Sequence, residues 1–595
     1  MRRVRGVRRI LLAFLAFVAA EAGAGAAPVT PERALAVADR FLNGATKAGG
    51  RTLRLVWRGE KPAEAPLAEP AYYVYNADGG GFVIVAGDDA VTPVLAYSRE
   101  GFFETEGMPE NLADWMDGLR TCILQVRADG RKPAPAVAEA WASASGPVRA
   151  GDEVVIETAL WNQRDPYNRL CPQVDGGRSV TGCVATAIAI VMRHYGYPAA
   201  GHGVLPDYEY QTDTGRRRTQ EGHLLGETYQ WDKMPLKYVP GRFTDEEADA
   251  VAQLMFDVGV MMEMEYNPTG SGAYTQVAHE RLARYMDYDA GARMLEKGYF
   301  SNQEWLAMIR EEIDAGRPLL YSGYDREGGH AFVADGYNTA GYIRFNWGWG
   351  GAANGFFALT DMNGFTDGNL AVFGLVPDQG SEAPNGAPGY ENISTSATIV
   401  RNTDFNVVVR GIAGVGTTFT GQVAIGKYDN AGVLRELVSS PLKINDLGVM
   451  DYQIRRFTCN IAGAIYPGDS LRPCYRESKD SDDWRPALFN AEYGGSSSIS
   501  LASEDLLAQN ASLRFDSYTR VLTLLSAYDS VSCRFTAPDG TDLSDRVAAA
   551  PAPFGTVPGD PDGTAFTIPT TGLPAGTYTL TLTLGALSCT LQLAL

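Results

Sequence analysis

Histidine and cysteine are scarce in this chain: five histidines and seven cysteines in 595 residues. The cysteines, at positions 122, 171, 183, 459, 474, 533 and 589, are too few and too dispersed to staple a small disulfide scaffold. None falls in a CxxC, no HExxH occurs and no two histidines stand four apart, so the usual zinc patterns are missing. Walker-type phosphate loops and Rossmann glycine patterns are missing too, and the expectation is chemistry without a cofactor or metal. Positive charge is in deficit, with 51 Lys and Arg against 71 Asp and Glu and a net charge of −20. That balance argues against a nucleic-acid partner, because binding there rests on neutralising phosphates, and it serves solubility. No segment beyond residue 20 is apolar for long enough to span a membrane as a helix.

What is present begins with a basic stretch, Met1 to Arg9, an apolar run from Ile10 to Ala20, and small residues up to Ala27. This is the pattern of a secretory signal peptide, residues 1–27. Its removal takes away five arginines and Glu21 and leaves 46 basic against 70 acidic residues.

The remaining length implies several domains. Residues 28–149 read as a small α+β unit, with a helical pattern at Pro31–Phe41, strands near Tyr72–Tyr75 and Gly81–Ala86, and a second helix near Leu112–Val126. An Ala/Pro/Ser-rich linker from Lys132 to Pro147 follows, with Arg149 as a candidate processing point. Residues 150–378 mix helices (Val184–Tyr195, Asp245–Met262, Gln303–Ala315) with strands (Pro318–Tyr321, His330–Gly336, Tyr342–Trp347, Gly355–Leu359), another α+β domain. After a second linker, Gly380–Gly389, helical patterns nearly vanish, and β-branched alternation predicts two sandwich-like all-β modules at 390–500 and 501–595. Within these modules Cys459 with Cys474, and Cys533 with Cys589, are candidate disulfides.

Cys183 opens an apolar helical pattern, Thr181-Gly-Cys-Val-Ala-Thr-Ala-Ile-Ala-Ile-Val-Met-Arg-His-Tyr195, stopped by Gly196-Tyr-Pro198. A thiol in the first turn of a buried helix meets unpaired backbone N–H groups and the positive end of the dipole, which favour the thiolate. Two readings stand: a poised nucleophile, or a small inert hydrophobe in a core helix. Of the five histidines, His330 is the best placed base, at the start of an alternating strand in Gly328-Gly-His-Ala-Phe-Val-Ala-Asp-Gly-Tyr337. The next strand, Tyr342-Ile-Arg-Phe-Asn-Trp347, returns after a short turn at 338–341. A turn centred on Asn338 sets Asn346 opposite His330, where its carboxamide oxygen would orient the imidazole and Trp347 would exclude water; a later turn offsets them. Gln163, in Trp161-Asn-Gln163, is either a loop glutamine or a donor to an oxyanion beside the N–H of Cys183.

Four segments in this order and spacing resemble the streptopain-like cysteine peptidases: Trp161-Asn-Gln-x-x-Pro-Tyr-Asn168, Thr181-Gly-Cys-Val-Ala-Thr-Ala187, Gly328-Gly-His-Ala-Phe-Val-x-Asp-Gly336 and Asn346-Trp-Gly-Trp-Gly-Gly351. Tyr72 to Gly87 followed by Leu95 to Ser98 is similar to that family's propeptide, and the resemblance covers roughly residues 70–377. It implies a papain-like fold and a secreted bacterial zymogen acting on protein substrates, with its own propeptide as intramolecular inhibitor. It also implies Cys183 as nucleophile, His330 as base and acid, Gln163 in the oxyanion hole, and Asn346 with Trp347 supporting the histidine. The family tends to prefer a hydrophobic residue two positions before the cut, and Gly270–Ala273 falls in the corresponding region. The long C-terminal extension and Cys171 depart from the pattern, and the ending from Gly572 is faintly similar to C-terminal sorting modules. The competing readings are a surface adhesin carrying a papain-like relic, and a Cys/His acyltransferase or amidase acting on cell-wall peptides.

Overall fold

The computed structural model describes residues 27–44, 50–60, 67–106, 108, 110–143, 151–324, 329–359, 367–501, 506–553, 563–585 and 587–595. Residues 1–26 of the expected signal peptide, and Arg149, lie outside the described residues. The chain divides between Ala383 and Pro384 into two compact units.

The first unit is built on one sheet of eleven strands. In chain order these are β1 (Leu53–Trp57), β2 (Tyr72–Ala77), β3 (Phe82–Ala86), β4 (Val94–Ser98), β5 (Glu153–Val155), β6 (Arg293–Glu296), β7 (Leu319–Tyr324), β8 (Gly329–Asn338), β9 (Tyr342–Asn346), β10 (Gly355–Ala358) and β11 (Asp367–Phe373). They lie in the order β1-β2-β3-β4-β10-β9-β8-β7-β11-β6, with β5 added to β8. The N-terminal meander and the later strands thus share one sheet, joined where Phe356 and Phe357 of β10 face Tyr97 and Ala96 of β4. Tyr97 reinforces the seam: its ring stacks on Phe356 at 5.0 Å and its hydroxyl accepts a hydrogen bond from Asn338 Nδ2 at 2.8 Å.

Seven helices concern the argument: α1 (Pro31–Asn43), α2 (Glu110–Ala128), α3 (Pro135–Ser143), α4 (Cys183–Tyr195), α5 (Asp245–Met261), α6 (Ala278–Tyr285) and α7 (Asn302–Asp314). Capping residues explain where two of them begin. Thr244 with Glu247, and Ser301 with Glu304, each form a reciprocal capping box. In α4 every residue from Cys183 to Met192 is buried, as a helix flanked on all sides by protein requires. Helix α3 corrects the first linker: alanines and Trp141 make a helix there, and the indole N–H donates to Val91 O at 2.6 Å.

In the second unit, five- and six-stranded sheets enclose a core that includes Val407, Phe419, Ile425 and Leu471. Four- and three-stranded sheets then enclose another with Leu522, Leu524, Phe535, Phe566 and Leu580. The second linker is shorter than expected, because Ala387–Tyr390 already forms a strand against residues 413–415. Neither disulfide forms: none of the seven cysteines is disulfide-bonded. Cys459 pairs with Phe405 and Cys474 with Ala424, in different sheets, while Cys533 and Cys589 flank Leu582 on either side of a central strand.

Candidate active site

Gly182 precedes α4 with φ +85°, and a Cβ there would meet Met264 Sδ at 2.5 Å and Ser271 O at 2.8 Å. Only glycine permits both the left-handed backbone and that approach, and the helix consequently starts at Cys183 with no side-chain cap. The first-turn N–H groups are left for other acceptors. Those of Val184 and of Ala331, the residue after His330, donate to the Cys183 sulfur, which also hydrogen-bonds His330. Burial disfavours the thiolate, yet the His330 hydrogen bond and charge, together with the two N–H groups, outweigh it and hold the thiol below its ordinary pKa.

His330 is largely buried at the start of β8, opposite Gly323 of β7. Its Nε2 lies 2.7 Å from Asp114 Oδ2, on α2 of the N-terminal segment. With that nitrogen engaged, Nδ1 is left to serve the thiol. Burial by itself would lower the imidazole pKa, but the hydrogen bonds and charges of Asp114 and Cys183 raise it to about 10. The lowered thiol and the raised imidazole both favour a thiolate–imidazolium pair, with the Asp114 carboxyl on the far side of the ring.

Asn346 is not opposite His330. The hairpin turns about residues 339–340, closed by Gly341 N–H to Asn338 O and Tyr342 N–H to Asn338 Oδ1, so Asn346 faces Val333. Its carboxamide is fully used elsewhere: Nδ2 donates to Thr158 Oγ1 at 3.0 Å and Ala159 O at 2.9 Å, and Oδ1 accepts from Gly348 N. Trp347 is buried, its ring 4.7 Å from Phe332 and 5.8 Å from Trp115 of α2. It belongs to an aromatic cluster that the N-terminal helix completes.

Gln163 is buried, and its carbonyl accepts from Thr181 N at 3.1 Å, two residues before Cys183. The loop after Trp347 closes over the same place: Gly350 N–H donates to Trp161 O at 2.7 Å, and a Cβ on Gly348 would stand 3.2 Å from Thr186 Cγ2. Cys183, His330 and the Gln163 segment therefore converge, and Asn346 and Trp347 flank them. The other histidines are elsewhere: His194 on Gly316 O, His202 by Asp287, His223 on Asp257, and His279 buried in α6. Sequence reading missed Asp114, which looks like any polar position of an amphipathic helix.

Residues 161–357 match the peptidase C10 family, and residues 26–123 match the Spi protease inhibitor family. Among curated proteins, the chain is 34% identical over 343 residues to the thiol protease/hemagglutinin PrtT of Porphyromonas gingivalis, covering 55% of this chain but only 38% of that protein. It is 31% identical over 365 residues to streptopain of Streptococcus pyogenes serotype M1, covering 56% of this chain and 87% of streptopain. Among solved structures, a prointerpain A fragment from Prevotella intermedia is 28% identical with TM-score 0.43, covering 55% of this chain and 99% of that one. Active interpain A from the same organism is 35% identical with TM-score 0.34, covering 38% and 95%.

Proposed function

Since the chain belongs to the peptidase C10 family and is a cysteine endopeptidase made as a zymogen, we propose that Cys183 is its nucleophile, His330 its general base and acid, and Gln163 its oxyanion donor. The observation that carries the reading is the hydrogen-bonded Cys183–His330 pair at the mouth of a buried helix, with Asp114 of the inhibitor-like segment on the imidazole. The Cys183 thiolate attacks the scissile carbonyl carbon, and the Gln163 carboxamide with the Cys183 N–H stabilises the oxyanion. His330 then protonates the leaving amine. Water, deprotonated by His330, attacks the thioester and frees the acyl product and the thiol.

Residues 28–149 are the removable inhibitor, 150–378 the catalytic domain, and 390–500 and 501–595 accessory β-domains, the last for sorting or attachment. In the precursor Asp114 and Trp115 occupy the ground in front of His330 and Trp347, so the inhibitor acts within the same molecule. The protein is secreted or held at a bacterial cell surface, which fits the N-terminal leader pattern; among the described residues no helix is long and apolar enough to cross a membrane.

The test compares the purified precursor with Cys183→Ala under mild reduction, following self-cleavage by mass spectrometry and casein hydrolysis. Wild type is expected to shed the segment up to about residue 149 and then digest casein, and the variant to do neither. Casein hydrolysis that survives Cys183→Ala would sink the assignment.

A further inference from the structure

Strand β8 carries an irregularity five residues after His330. Ala334 faces Phe345 and Gly336 faces Arg344, so Asp335 is the extra residue of a β-bulge. Bulges beside active sites re-aim a side chain, and this one turns a fully buried carboxylate out of the ladder. Beside the bulge, Gly336 lets β5 come close, because a Cβ there would lie 2.6 Å from Val154 O. Asp335 Oδ2 receives Arg344 Nη1 at 2.5 Å and the Thr158 hydroxyl at 2.6 Å, while the Asp335 carbonyl accepts Ile156 N–H at 2.8 Å.

The Thr158 hydroxyl has a single hydrogen, and Asp335 takes it. Burial raises the Asp335 pKa, but the Arg344 guanidinium opposes that and donates to Oδ2, so this oxygen is the acceptor and the Thr158 hydroxyl its donor. The lone pairs of Thr158 then face Asn346, which presents its NH2 there, 3.0 Å away, and its oxygen on the opposite side, the orientation that Ala159 O and Gly348 N–H also require. A carboxamide can be turned by half a rotation with little change of shape, so its orientation has to be imposed by its partners. The same threonine lies five residues before Gln163 on the segment whose carbonyls at 159 and 161 hold Asn346 and Gly350.

We infer that Asp335, acting through Thr158, is a positioning residue for catalysis: it anchors the segment that carries Gln163 and, together with Ala159 O and Gly348 N–H, holds the Asn346 carboxamide in one orientation. The inference rests on the assignment of Cys183, His330 and Gln163 above. The chain runs Asp335 to Thr158 to Asn346 and acts on the geometry of the site; none of its three side chains bonds His330 in this structure.

Thr158 is the cleanest place to break it, since Thr158→Val removes only the relaying hydroxyl and Thr158→Ser keeps it. Full-length precursors of wild type, Thr158→Val, Thr158→Ser and Cys183→Ala are processed with a trace of active wild-type enzyme, then assayed on a peptide substrate for kcat and KM alongside a melting curve. Thr158→Val is expected to lose about 10- to 100-fold in kcat with KM within about twofold of wild type, as misplaced catalytic groups do. Thr158→Ser is expected to retain most of kcat. If Thr158→Val fails to fold, Thr158→Ala removes the same hydroxyl and carries the same expectation. Wild-type kcat in Thr158→Val, or equal impairment in Thr158→Ser, overturns the inference while leaving the protease reading intact. An inactive wild type, indistinguishable from Cys183→Ala, instead overturns that reading.

Discussion

Asp114 Oδ2 stands 2.7 Å from His330 Nε2, a contact between residues 216 positions apart that places a carboxylate of the N-terminal segment on the ring of the proposed base. Both side chains are largely buried, so the pair is more than a surface bridge, and removing one partner leaves the other charge poorly compensated. Asp114→Ala should weaken docking of the N-terminal segment by about 2–5 kcal/mol. The expected result is faster self-processing, read by gel densitometry over time, with the mature enzyme unchanged in kcat/KM. Processing at the wild-type rate would show that the carboxylate contributes nothing to latency.

The same pair gives the precursor a pH signature. His330 is raised from near 6.5 to about 10, so its contribution to stability is complete below pH 6.5 and drains away as pH rises toward 10. Urea midpoints of Cys183→Ala and Cys183→Ala/Asp114→Ala precursors, which cannot cleave themselves, should differ at pH 6 and converge in alkaline buffer. Convergence should come somewhat below pH 10, because Cys183 supplies part of the upward shift. A gap that widens with pH would contradict the sign of the coupling.

How far the sequence foretold this site depends on the range of the determinant. Cys183 at the head of a helix was legible because its cause is local: Gly182 before it and an unbroken apolar period after it. His330 was legible because so few histidines compete and glycines precede it. The position of Asn346 was not, since a turn centred near 340 and the bulge at Asp335 displace the pairing by residues that a hydrophobic pattern does not count. Asp114 was out of reach for a different reason: only the tertiary joining of β4 to β10 brings its helix over the later strands.

Gly182→Ala tests the turn that delivers the thiol. An alanine would need φ near +85° and would collide with Met264 Sδ and the Ser271 carbonyl. We expect a loss of about 2–4 kcal/mol in stability from backbone strain and overpacking together. Chemical denaturation reads that loss, and iodoacetamide alkylation of Cys183 in the mature variant should slow as the thiolate loses its N–H donors. Wild-type stability and alkylation in the variant would contradict the contact.

The absence of disulfides among the seven cysteines predicts insensitivity to reductant. Cys533 and Cys589 sit on strands either side of Leu582, two strand spacings or roughly 9–10 Å apart, whereas a disulfide needs Cα atoms within about 7 Å. A thiol count on unreduced, denatured precursor should return all seven groups, and dithiothreitol should leave the melting temperature where it was. A count of five or three would place a bridge where the register forbids one.

Trp115 separates latency from catalysis. It is 1% exposed, with its ring within 5.4–6.4 Å of Phe332, Phe345, Trp347 and Phe357, so it is the residue by which the N-terminal helix buries itself in the aromatic core of the later strands. Truncation to alanine should cost about 3–5 kcal/mol, the usual range for a large buried aromatic. All of that cost falls on the precursor, because the residue leaves with the inhibitor. Trp115→Ala is therefore expected to be cut by trypsin within residues 27–143 far sooner than wild type and to process itself earlier. Its mature product should match wild type in kcat and KM. If the mature product were instead crippled, the helix would be needed to fold the catalytic strands as well as to cover them, and refolding the mature chain with and without added wild-type N-terminal segment would measure that need directly.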